Sequence, residues 1–181
     1  MKRTLFSLFL ATMSMISFAQ KKTTTSAVVA FDATTAIDAL PKAENKTVVA
    51  ALDTKTGSLA FEATVKNFAF SNPMIQDHFN GDKWLNSAEY PTFTYKGKIT
   101  NLSDINFSKD GTYSAKTEGT LKVRGTEKKI EVPATIVVSS GAISATSDFS
   151  IKLSDYSISG APIDGGKVAK EPKISVRADF K

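Results

Sequence analysis

The chain has 181 residues, one His, no Cys and a formal net charge of +5, and 41% of it is hydrophobic. That length suits one ordinary domain or two small ones, and the composition is globular rather than disordered. Without Cys there are no disulfides, thiolate metal sites, thiol nucleophiles or Cys-borne lipid anchors, and one His leaves a zinc centre or a Ser-His-Asp triad short of partners.

The chain opens with basic Met1-Lys2-Arg3, an uncharged apolar run from Leu5 to Phe18, and Ser17-Phe18-Ala19 with small residues at the −3 and −1 positions. This is the layout of a secretory signal, so residues 1–19 are expected to be removed and 20–181 to form a single exported domain. The run is shorter than the ~20 residues of a membrane span, polar Gln20 to Thr25 follow it, and no later run approaches that length. Removing Lys2 and Arg3 takes two charges from the +5, and the remaining charges are well mixed. No nucleic-acid footprint is expected. The local basic cluster, Lys122-Val123-Arg124 with Lys128-Lys129, reads as the wet face of a hairpin.

Beyond the signal the dominant period is two. Val28 to Phe31 and Thr47 to Leu52 are less tidy strands. Clean alternation follows at Phe61-Ala63-Val65, Phe93-Tyr95-Gly97-Ile99, Leu121-Val123, Ile130-Val132-Ala134-Ile136, Phe149-Ile151-Leu153 and Ile174-Val176-Ala178-Phe180. Each reads as a strand with one apolar and one wet face. Turn signals separate them at Asp53 to Gly57, Lys109-Asp110-Gly111, Arg124-Gly125 and Ser139-Ser140-Gly141. Pro133 marks an edge or a bulge, because it has no N–H to donate to a ladder. The phase passes from odd Phe61 and Val65 to even Phe68 and Phe70, so a bulge or strand end is expected near Asn67.

Two stretches break the rhythm. Pro73 to Ala88, capped by Ser71 or Asn72, reads as a short helix with Met74, Ile75, His78 and Phe79 on one face. Gly160 to Pro172 reads as a long loop before the last strand. About eight or nine antiparallel strands with few helical residues give an all-β sandwich or closed barrel.

Chemistry-bearing groups are sparse. His78, with Asp77 and Asp82 nearby, reads as an anchor of the connector rather than a base or ligand, since one His supplies no full metal set. Gly165-Gly166-Lys167 lacks P-loop spacing, and Asp148 and Asp155 are single carboxylates at strand ends. No catalytic residue and no metal site are expected, and the chain is read as not an enzyme. The candidate site is apolar instead, a cavity wall drawn from inward positions and the connector. Its members are Phe61, Val65, Phe68 and Phe70 early in the chain, Phe79, Trp84 and Tyr90 in the connector, Phe93 and Tyr95 in the strand after it, then Leu121, Val123, Ile136, Phe149 and Ile151. The same aromatic residues also suit an ordinary core.

The segment Met74 to Tyr95, with Asp77-His78 followed by Tyr90-Pro91-Thr92-Phe93-Thr94-Tyr95, resembles the signature segment of the YceI-like family of exported lipid-binding proteins. Gly119 to Ile130 resembles that family's hairpin, and Ser147 to Ile158 its late strand. The opening strand, Ser26 to Asp32, is a looser match. The resemblance covers about Leu52 to Phe180. It implies an antiparallel lipocalin-like barrel of about eight strands with a short helical connector, enclosing a long apolar cavity. It further implies a long-chain lipid partner such as an isoprenoid or quinone-type ligand, no other cofactor, and a periplasmic or secreted location. The connector would then form a wall or lid, with Trp84 and Tyr90 placed to meet a head group. The alternative is a filled barrel with a structural or protein-interaction role and no ligand. A dimer is left open.

Overall fold

Alternating apolar and polar residues become nine antiparallel strands in the computed structural model, which describes residues 20–181. The segment read as a signal lies outside the described residues. The strands are β1 (Lys21–Asp32), β2 (Lys42–Asp53), β3 (Ser58–Thr64), the two-residue β4 (Ala69–Phe70), β5 (Thr92–Ile99), β6 (Gly111–Val123), β7 (Thr126–Ser139), β8 (Ala142–Ser150) and β9 (Lys173–Phe180). Helix α1 (Pro73–Asn80) lies between β4 and β5, and the single turn α2 (Ala161–Asp164) between β8 and β9. The sheet runs β1-β9-β8-β7-β6-β5-β3-β2, and β1 also pairs with β2, so eight strands close into a barrel. β4 pairs with β2 through Ala43 and Glu44, continuing the line that β3 leaves at Thr64.

Local chemistry sets the hairpins. Arg124 and Gly125 have φ of 48° and 76°, and Ser140 and Gly141 of 50° and 79°. These are two-residue loops with both central residues left-handed, whose twist matches that of the flanking strands. The phase slip falls where it is expected, at a 3-10 turn over Val65–Asn67. The untidy early strands have a physical cause. The β1–β2 register shifts between Thr24 and Ala27 and again between Ala27 and Val29. Buried positions of β2 change accordingly from Ala43 and Asn45 to Val48, Ala50 and Leu52. Asn45, fully buried, fills the irregularity: its Nδ2 donates to the Thr64 carbonyl at 2.9 Å, and its Oδ1 accepts from the Thr47 N–H at 2.9 Å and the Thr47 hydroxyl at 2.8 Å.

Several strand ends differ from the sequence reading. β1 and β2 begin at Lys21 and Lys42, well before the apolar positions that announced them. Leu121–Val123 is the tail of a longer β6. β8 starts at Ala142 and ends at Ser150, and Leu153 opens a 3-10 turn over Leu153–Tyr156. In α1 the buried residue is Phe79, while Met74 and His78 are exposed, so the face proposed for that helix is narrower than expected.

The two barrel ends are built differently. The β2–β3 and β7–β8 turns, the 100–110 connector and the first and last described residues occupy one, where Ile105, Val138, Ile143 and Phe180 are buried together. The other receives the β6–β7 turn and three connectors: residues 33–41, the stretch from Val65 to Pro91 with α1, and the stretch from Ile151 to Pro172 with α2.

Candidate functional site

The barrel interior holds a cavity of about 170 Å³. Its wall runs from Phe79, Trp84 and Leu85 under the connectors down to Leu52, Leu59 and Ile99 near the opposite end. From Phe93 to Ile99 that is about 20 Å of strand, a length suited to an extended chain. Inward positions of several strands contribute: Val29 and Phe31 from β1, Phe61 and Ala63 from β3, Leu121 and Val123 from β6, Ile174 and Val176 from β9.

Most of the sequence-derived candidates meet at this wall: Phe61, Phe68, Phe79, Trp84, Phe93 and Tyr95, with Leu121, Val123, Ile136, Phe149 and Ile151. Three lie elsewhere. Val65 is fully buried in the 3-10 turn, behind the wall. Phe70 is not part of the wall but packs against Phe79, with ring centroids 4.8 Å apart. Tyr90 sits outside the barrel in a surface groove with Thr92, Lys96 and Lys122, over the β6–β7 turn. Glycine at 125 permits that seat, because a Cβ there would come within 2.7 Å of the Tyr90 ring.

Phe79 is the hub of the roof. Its ring centroid lies 5.7 Å from Phe31, 5.8 Å from Phe68 and 4.8 Å from Phe70, and Phe68 in turn lies 5.8 Å from Phe93. Asn72 starts α1 by accepting the Met74 N–H at 2.9 Å, with Pro73 in the first turn. Arg124 then ties the two long connectors together. Its guanidinium donates to the Ser157 carbonyl at 2.7 Å and to the Asp82 carbonyl at 3.2 Å. In the sequence, Arg124 reads as part of a wet hairpin face; the clasp needs residues 33 and 42 positions away, which no local pattern reveals.

Almost nothing polar faces the cavity. The Tyr95 hydroxyl donates to Thr117 Oγ1 at 3.0 Å, and Thr117 donates to the Val132 carbonyl at 3.1 Å, so these two hydroxyls are spent on each other and on the backbone. Burial raises the Tyr95 phenol above its ordinary pKa. Its ring covers the facing pair Gly97 and Gly119, where a Cβ on Gly119 would come within 2.7 Å of it. Among the described residues no group of His, Asp and Glu could hold a metal ion, and His78 is exposed. An apolar cavity of about 150 Å³ stays dry and takes up small hydrocarbons, so this interior suits hydrocarbon rather than water.

Comparison with solved structures finds the same barrel elsewhere. A polyisoprenoid binding domain from Saccharophagus degradans, implicated in plant cell wall breakdown, is 12% identical with a TM-score of 0.75, covering 90% of this chain and 98% of that one. BcnA of Burkholderia cenocepacia is 19% identical with a TM-score of 0.69, covering 86% of this chain and 96% of that one. The YCEI protein of Campylobacter jejuni is 22% identical with a TM-score of 0.55, covering 75% and 81%. No match was found among curated protein sequences. The family model described as YceI-like domain matches residues 11–180, nearly the whole chain, and with the barrel and its apolar interior this places the chain in the YceI-like family.

Proposed function

We propose that this protein binds a long-chain amphiphile, an isoprenoid or similar lipid, with its hydrocarbon tail inside the barrel. The observation that carries the reading is an apolar cavity running through the barrel, in which the Tyr95 and Thr117 hydroxyls are already paired. Each methylene moved from water into such a wall contributes about 0.8 kcal/mol, so a long tail supplies the affinity without a polar contact. The name of the S. degradans neighbour supports the isoprenoid class. The protein acts by holding its ligand, with no reaction carried out on it. The signal-like start and the family's general character support a periplasmic or secreted carrier.

The test uses purified protein and all-trans-retinol, a fluorescent isoprenoid alcohol. Trp84 is the only Trp and lines the cavity, so its emission reports occupancy directly. Saturable one-to-one quenching, together with a stoichiometric lipid in organic extracts seen by mass spectrometry, is the expected result. No lipid in the extract and no quenching would replace the carrier with a filled, structural barrel.

A further inference from the structure

The backbone ladder around the barrel is incomplete on one side. β6 and β7 pair along their whole length, from Gly111↔Val138 to Val123↔Thr126. β7 and β8 pair only from Ser139↔Ala142 to Thr135↔Thr146. Beyond that point residues 126–134 of β7 have no ladder partner in β8, the 3-10 turn over Leu153–Tyr156 packing against β7 instead, while residues 147–150 of β8 pair only with β9.

Pro133 is the cause. In an antiparallel strand the N–H and C=O of one residue point to the same neighbour. The Pro133 carbonyl accepts the Ser147 hydroxyl of β8 at 2.6 Å, so its missing N–H also faces β8. The next bonded pair of the ladder would join Pro133 to Asp148. Proline cannot donate half of it, and Ser147 Oγ occupies the acceptor of the other half. The same alternation leaves main-chain groups of Lys129 and Glu131 on one bank, and of Asp148 and Ser150 on the other, without ladder partners. The Ile151 N–H, which bonds the Pro172 carbonyl on the β9 side, confirms the phase of the second bank. Behind this gap, Val132 and Ala134 from β7 and Ser147, Phe149 and Ile151 from the β8 side all line the cavity. The connector end, by contrast, is roofed by the Phe79 cluster and clasped by Arg124.

We infer that the β7–β8 seam is the ligand's doorway and head-group seat: the tail passes sideways between the strands, and a neutral hydrogen-bonding head, such as a hydroxyl or carbonyl, rests against the unpaired main-chain groups. This rests on the lipid-binding reading above. It explains how an interior without free polar groups accommodates an amphiphile, since the polar end stays in the wall.

The experiment compares retinol release, followed by Trp84 quenching in stopped flow, from the native protein, Pro133→Val and Arg124→Ala. Valine at 133 restores the N–H and lets the ladder extend by one pair. Release is expected to slow about fivefold, the factor that one net hydrogen bond represents, while Arg124→Ala stays within twofold of native. Amide resonances of Glu131 and Ser150 are expected to shift on retinol addition more than those of Asp82 and Ser157. Unchanged release from Pro133→Val with faster release from Arg124→Ala would overturn the doorway and put entry at the roof, leaving the lipid-binding reading intact. No retinol binding by the native protein would overturn both.

Discussion

Replacing Phe79 by Ala removes the hub of the roof. Phe79 is 4% exposed and touches three other rings. Truncating a buried Phe costs about 3–5 kcal/mol through lost transfer energy and the void left behind. One face of this ring already looks onto the cavity, so part of the new space joins an existing void and fewer contacts are lost; the lower end, about 3 kcal/mol, is expected. For a chain of this size that corresponds to a fall in Tm of about 6–12 °C. The assay is thermal unfolding by circular dichroism on ligand-free protein, with Ile37→Ala as the control at a side chain 70% exposed. Trp84 lines the same cavity as Phe79, so its emission should also move to the red in the folded variant. A fall in Tm of less than about 2 °C, with unchanged Trp84 emission, would refute the account of Phe79 as the roof's structural centre.

Other consequences follow from single contacts. Phe93→Asp and Phe149→Asp each place a charge on the cavity wall with no partner, and are expected to abolish retinol quenching of Trp84 or folding itself; if both fold and bind normally, the wall is misassigned. Arg124→Ala should cost about 1–2 kcal/mol, the worth of two charged hydrogen bonds discounted for exposure, and should speed amide exchange at Asn86 and Ile158 in the clasped connectors while leaving β6 unchanged. Tyr156 is buried, and burial, with Asp155 adding to it, pushes its phenol up to about 12. The unfolded chain therefore ionises Tyr156 near pH 10 while the folded one keeps its proton, so stability present below pH 10 is lost as pH rises toward 12. Melting curves across that range should fall less steeply for Tyr156→Phe than for the native protein.

The strands were legible because one face is wet and the other dry, which writes a period of two into the chain from Phe61 to Phe180. The early strands were not, because the β1–β2 irregularities interrupt that period and depend on Asn45 reaching Thr64, a contact between strands. Alternation also named Ile174 and Val176 as inward, and both line the cavity although they stood outside the candidate set. Val65 and Phe70 have the right residue type but lie around the 3-10 turn, where direction is set by the turn and not by strand phase. Tyr90 was placed by its neighbours in sequence, whereas the connector carries it over Gly125 to the outside. Pro133 announced a break in pairing; which neighbour it abandons depended on where its carbonyl points.

The joint between β1 and β9 has a consequence for how the cavity comes into being. Every other seam joins strands close in sequence, apart from the short β4, but this one pairs Val28 with Arg177 and Asp32 with Lys173, and beside it Thr23 and Lys181 exchange main-chain hydrogen bonds of 3.1 and 3.2 Å. Hairpins along the chain can zip early and locally, whereas this pairing must close a loop of nearly the whole domain, so it belongs to the slow part of folding. Until β9 docks, the sheet has two long free edges and no enclosed interior. A nascent or truncated chain therefore has no enclosed apolar interior and is open to edge-to-edge association, and the cavity belongs to the complete circuit of strands rather than to any fragment of it.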